Sequence, residues 1–239
     1  MKIEVLFPEI CNLYGELENV SYLDKSCEDV QIIRTSITDE PYFADYEPDL
    51  IYMGTMTENS QLMVIEKLRG YIDRISELID RGVHFLITGN ALEVFGRYIE
   101  DADGTKTECL GMIDIMTKRN MSNRFNSLYL GEFQGMDIVG FKSQFTHSYW
   151  CDGTEPTGLF DTKRGPGLNP DIKEEGIRIN NFMATYIIGP LLVLNPPLTE
   201  YLLRSCGNID ATAAFAEEAM DAYETRVKEF SDPKRGFYY

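Results

Sequence analysis

Histidine, tryptophan and basic side chains are scarce in this 239-residue sequence. It has two histidines, one tryptophan and 22 Lys plus Arg against 39 Asp plus Glu, a net charge of -17. A surface so short of cations repels polyanions, which argues against nucleic acid and anionic membrane as partners. A cationic or neutral small ligand, or another protein, fits better, although acidity also serves solubility alone. The five cysteines (Cys11, Cys27, Cys109, Cys151 and Cys206) are odd in number, widely spaced and without a C-x-x-C pair. That argues against a disulfide framework and a metal site, and for a reducing compartment. No long apolar run exists either: the stretch 186–194 is interrupted by Gly189 and Pro190 and is too short for a bilayer. The opening MKIEVLFPEI enters strand-like alternation without the apolar core of a signal peptide. The expectation is a cytoplasmic protein with no membrane insertion and no cofactor.

Residues 2–7, 30–37, 49–54 and 83–88 read as strands. Residues 59–81 read as one helix with Leu62, Ile65, Leu68, Ile72, Ile75, Leu78 and Ile79 on a single stripe. Alternation of this kind predicts an α/β fold, three layers with a central mostly parallel sheet. Residues 126–133 and 137–149 predict an antiparallel pair. Residues 152–175, rich in glycine and proline, predict a long surface loop, and 177–188 a return to strand. A short helix over 198–205 and a closing helix over 210–230 follow, the latter with Phe215, Ala219, Tyr223, Val227 and Phe230 on one face. With no internal repeat and no linker, the simplest count is one domain, residues 1–239. The apolar tail residues Phe237, Tyr238 and Tyr239 could dock on a partner, dock on this domain or stay disordered.

The stretch HFLITGNALEVFG, residues 84–96, reads as a strand, a tight turn and the start of a helix. In many α/β enzymes that junction mounts a nucleophile. Here its apex holds Gly89 and Asn90, and neither side chain can attack a carbonyl.

Three stretches carry a resemblance. LFPEICNLYGE (residues 6–16) resembles the L-Y-P-D-x-x-N-L-Y-G-D opening of the GatD-type glutaminases, the glutaminase subunits of lipid II isoglutaminyl synthase. ATYIIGPLLVLNPPLTEYLL (residues 184–203) resembles their G-T-Y-L-H-G-P-L-L-x-x-N-P-x-L-A-D-x-L-L. ITGNALEVFG is similar to the C-G-G-Y-Q-L-L-G nucleophile elbow. The amidotransferase domain of cobyric acid synthase shares these motifs. The resemblance implies the class I glutamine amidotransferase (flavodoxin-like) fold. It also implies a thiolate attacking the glutamine amide, a histidine moving protons, backbone N–H groups holding the oxyanion, and ammonia passed to a synthase partner of the Mur-ligase-like (MurT) kind.

Carried over residue by residue, the chemistry is missing. The nucleophile position falls at Gly89, with Gly96 closing the elbow, and the general-base position falls at Ile188. The G-G-G-Q-D segment reads Gly54-Thr55-Met56-Thr57-Glu58, and G-F-E-N-H reads Gly140-Phe141-Lys142-Ser143-Gln144. Packing and turn motifs match while chemical positions do not, so the resemblance implies a glutaminase-like scaffold without glutaminase activity. Such a chain would serve as a non-catalytic subunit of a Mur-ligase-like synthase in peptidoglycan precursor modification. The vestigial pocket of Gly54, Thr55, Thr88, Asn90, Gln144, His147 and Tyr186 would admit a glutamine-like ligand. Two readings stay open beside it. Gly89 also suits the strained turn alone. An active glutaminase with relocated groups (Thr88, Cys151, His147), or a cobyric acid synthase-like protein, is the rival, although no base for Thr88 is visible nearby in sequence.

Overall fold

The computed structural model describes residues 1–238. Its strands in chain order are β1 (Lys2–Leu6), β2 (Gln31–Thr35), β3 (Leu50–Met53), β4 (His84–Thr88), β5 (Tyr98–Asp101), β6 (Lys106–Glu108), β7 (Ile115–Arg119), β8 (Phe125–Phe133), β9 (Met136–Gln144), β10 (Thr146–Trp150), β11 (Phe160–Arg164), β12 (Glu174–Glu175), β13 (Ile177–Ile179) and β14 (Phe182–Thr185). The helices are α1 (Glu18–Ser26), α2 (Tyr42–Asp45), α3 (Glu58–Leu68), α4 (Ile72–Asp80), α5 (Leu191–Leu194), α6 (Pro196–Ser205) and α7 (Ala216–Ser231).

The central sheet runs β2-β1-β3-β4-β14-β13, parallel except for the β13–β14 hairpin. β3, β4 and β14 are buried along their whole length, which explains their unbroken apolar runs. Alternate side chains feed two cores. Ile51, Met53, Phe85 and Ile87 pack with Val64, Ile65, Ile75 and Leu78 of α3 and α4 on one face. Leu50, Tyr52, Leu86 and Met183 pack with Leu23, Leu192 and Leu202 from α1, α5 and α6 on the other. These are the three layers, and the order 2-1-3-4 followed by a fifth parallel strand is the flavodoxin-like winding. Two further sheets, β10-β7-β5-β6 and β12-β11-β8-β9, complete the molecule. Because the central strands are parallel, Phe7, Gly54, Gly89 and Tyr186 emerge at one end of the sheet, where ligands of such folds bind.

Several expectations are corrected. The helix expected over 59–81 is two, α3 and α4, joined by the 3₁₀ turn Arg69–Tyr71 around Gly70. Within α3 the buried stripe is Gln61, Val64, Ile65 and Leu68, so Leu62 points outward at 46% exposure. The loop expected over 152–175 contains β11, which pairs with β8, and buries Leu159, Phe160 and Leu168. The strand expected over 177–188 folds back as β13 and β14, with Asn180 at φ 52° in the turn. α7 begins at Ala216, leaving Phe215 in a left-handed conformation and 66% exposed rather than on the buried stripe. The antiparallel pair is β8 with β9, and the chain turns again at Phe145 into β10.

The tail docks on this chain. Phe237 C=O accepts the Leu128 N–H (2.8 Å), and Tyr238 bridges to Ser127. The Arg164 guanidinium donates to the carbonyls of Asp232 (2.6 Å) and Arg235 (2.8 Å) and lies over the Phe237 ring. Tyr239 lies outside the described residues.

Candidate functional site

β4 ends at Thr88, and Gly89 takes φ 62° to enter the 3₁₀ turn Gly89–Phe95, which replaces the α-helix expected after the elbow. Glycine enters that region without strain. Space is a second constraint. A Cβ built on Gly89 would lie 2.8 Å from Thr55 Cβ and 2.9 Å from its Cγ2, with the Thr55 hydroxyl closer still. Thr55 thus occupies the volume into which a nucleophilic side chain would project. Its neighbour Gly54 is held to glycine by close approach, since a Cβ there would lie 2.7 Å from the Cys11 carbonyl oxygen.

Two backbone donors around this apex are already engaged. Met56 N–H donates to Asn90 Oδ1 (3.0 Å), and Asn90 Nδ2 donates back to Met56 C=O (2.8 Å). Gly189 N–H donates to Glu16 Oε1 (3.1 Å). The base position, Ile188, is buried and exchanges two backbone hydrogen bonds with Phe141 (2.9 and 3.1 Å).

Thr88 does not line a cavity: it is 0% exposed, with its hydroxyl 3.3 Å from the Tyr52 hydroxyl. Tyr52 in turn donates to Glu16 C=O (2.8 Å) and accepts from Asn19 Nδ2 (3.1 Å). The fold therefore brings an acid to Thr88 that sequence distance concealed. Burial pushes the Glu16 carboxyl up to about 7, while the neighbouring Thr88 hydroxyl and the Gly189 N–H pull the other way. Glu16 Oε2 has no partner among the described residues.

Thr55, Asn90 and Gln144 of the expected pocket do come together. They line a cleft of about 170 Å³ with Leu13, Tyr14, Met56, Thr57, Glu58, Glu93, Arg124, Ser143, Phe145 and Thr146. Thr57 caps α3 at the rim, its side chain accepting the Ser60 N–H (3.2 Å). Glu93 is the acid that sequence reasoning missed. It is 1% exposed. Its Oε1 accepts from Thr146 Oγ1 (2.6 Å) and the Tyr186 hydroxyl (3.0 Å), and its Oε2 from Gln61 Nε2 (2.9 Å). Burial raises its pKa, while these donors and the nearby Arg119 charge oppose the rise. The signal was present: Glu93 is the one charged side chain in the apolar turn ALEVF.

Tyr186 sits behind the cleft, fully buried, with its hydroxyl between Glu93 and Ser148 Oγ (2.7 Å). His147 is not among the cleft residues. It packs edge-on against the Phe125 ring, its Nδ1 is buried without a partner, and burial followed by the Lys142 charge lowers its pKa. Cys151 lies past β10, its N–H on the Asp114 carbonyl (2.9 Å), away from the cleft lining. Cys11 is buried 4.0 Å from the Met56 sulfur, and burial drives its pKa far up. Among the described residues no group of three or more His, Cys, Asp or Glu is arranged to hold a metal. No helix among them is long and apolar enough to cross a membrane.

Comparison with known proteins agrees with this architecture. The profile of the CobB/CobQ-like glutamine amidotransferase domain matches residues 2–195. The chain is 26% identical over 194 residues to the lipid II isoglutaminyl synthase (glutamine-hydrolyzing) subunit GatD of Staphylococcus aureus (strain N315), covering 80% of this chain and 78% of that one. It is 25% identical over 210 residues to the GatD subunit of Streptococcus pneumoniae (strain ATCC BAA-255 / R6), covering 85% and 79%. Among solved structures, PurLQS from Thermotoga maritima superposes with a TM-score of 0.54 at 11% identity, covering 94% of this chain and 97% of that one. A glutamine amidotransferase of the same organism superposes with a TM-score of 0.51 at 10% identity, covering 96% and 91%. At such identities the structures speak for the fold, the class I glutamine amidotransferase fold, and for nothing finer.

Proposed function

Since the chain belongs to the CobB/CobQ-like glutamine amidotransferase family, we propose that it is a GatD-like subunit that has given up glutamine hydrolysis. In this reading it works in the cytoplasm as a single amidotransferase-like domain bound to a Mur-ligase-like synthase that amidates a peptidoglycan precursor. The observation that carries the reading is the Thr55–Gly89 contact: the space for a nucleophile is filled by a neighbour rather than left open. Three further features support it. Ile188 offers no proton, Met56 N–H and Gly189 N–H are bound to protein acceptors, and the candidate substitute Thr88 is buried away from the cleft. Acyl transfer needs an activated nucleophile and free donors for the oxyanion. The S. aureus and S. pneumoniae relatives are named as subunits of a synthase, which supplies the kind of partner.

The test is co-expression with a Mur-ligase-like synthase, followed by co-purification and an ammonia-release assay on glutamine. The expected result is a stable complex, no ammonia above the blank, and precursor amidation that depends on added ammonium. A protein that ignores such a synthase would overturn the partner. Ammonia release abolished by Thr88→Val, Cys151→Ala or His147→Ala would overturn the loss of activity.

A further inference from the structure

The cleft has an unequal distribution of polar groups. Its inner wall carries Glu93, whose hydrogen-bond partners Gln61, Thr146 and Tyr186 are all neutral donors. The nearest cation, Arg119, is bound to Asp101 through Nε (2.7 Å) and Nη2 (2.9 Å), so its charge is already matched. Beside Glu93, Gln144 is only 7% exposed, its Nε2 donates to Thr146 C=O (2.6 Å), and its Oε1 has no partner. A buried acceptor left open is costly unless a ligand donor completes it. Arg124, also in the cleft lining, has its guanidinium 4.6 Å from the Phe145 ring centroid. The cavity thus has an acceptor-rich, acidic wall and one cation.

We propose that this wall is a binding site for a protonated primary amine, with the Glu93 carboxylate as counter-charge and Gln144 Oε1 as hydrogen-bond acceptor. An ammonium group supplies several donors to a wall whose unpartnered group is an acceptor, and its charge balances a carboxylate whose hydrogen-bond partners are all neutral. A carboxylate at the other end of the same molecule would meet Arg124, so a short ω-amino acid matches both ends. The cleft volume of about 170 Å³ suits a molecule of that size. The proposal rests on the cleft alone and stands or falls separately from docking on a synthase.

The experiment titrates the intact protein with 4-aminobutyrate, n-butylamine, butyrate and N-acetyl-4-aminobutyrate, followed by calorimetry and by the melting temperature. Binding by the two amines, and by neither butyrate nor the acetylated compound, is expected. Glu93→Gln, which keeps the shape and one of the two accepting oxygens but removes the charge, should weaken amine binding at least tenfold while circular dichroism confirms the fold. Gln144→Leu should weaken it as well. Binding of the acetylated compound as tight as that of the amine, equal binding by Glu93→Gln, or no binding of either amine at millimolar concentration would each overturn the proposal.

Discussion

Thr55 and Gly89 share one volume: the threonine side chain stands 2.8–2.9 Å from where any Cβ at position 89 would fall. Position 89 also requires a left-handed backbone. Gly89→Cys alone is therefore expected to destabilise the protein by roughly 3 kcal/mol, from overpacking and backbone strain together. Adding Thr55→Gly should recover the packing part. Urea denaturation of both variants checks this, and neither variant should release ammonia from glutamine, because no imidazole stands at Ile188.

Glu16 makes stability depend on pH with a defined sign. Burial pushes its carboxyl up to about 7, above the ordinary glutamate value of 4.5. The protonated carboxyl is the one the fold favours, so its stabilising contribution is fully present below about 4.5 and lost as pH rises through about 7. The linkage amounts to about 3 kcal/mol across that window. Burial raises Glu4 and Glu93 in the same direction, so the informative quantity is the difference from a variant. Glu16→Gln should gain stability relative to the parent between pH 4.5 and 7 and hold that gain above it, as read from melting temperatures.

Lys142 and Glu175 form an ion pair at 3.0 Å with both side chains wholly buried. Lys142 Nζ also donates to the Gly167 carbonyl, and Glu175 accepts from the Tyr186 N–H. Desolvation lowers the lysine's pKa and the glutamate restrains the fall. Removing one partner strands a buried charge. Lys142→Met is expected to cost about 3–5 kcal/mol, and Lys142→Met with Glu175→Gln clearly less. Chemical denaturation of the single and double variants measures the coupling.

The central sheet was legible because its signal is local. Runs such as LIYM and HFLIT are apolar without alternation, as strands buried on both faces must be. The closing helix misled at its start because periodicity cannot register the left-handed turn at Phe215. The segment 152–175 misled because its glycines and prolines outweighed the brief FDTKR strand, which exists only through pairing with β8. At the candidate site, Thr55, Asn90 and Gln144 were found through motif positions, and they line one cleft. Glu16 was not singled out because its meaning depends on Thr88 and Gly189, 72 and 173 residues away in the chain. No window of sequence holds such a contact.

The strip of chain after the last helix has a consequence for handling the molecule. β11 reaches β8 only as far as Leu130, and the Leu128 N–H beyond it is satisfied by Phe237. A protease that clipped the polypeptide after Asp232 would leave that rim of the sheet with unpaired amides. A strand from a neighbouring copy could then add to it. Storage and crystallisation should accordingly spare residues 233–238, which act as the sheet's own selvedge.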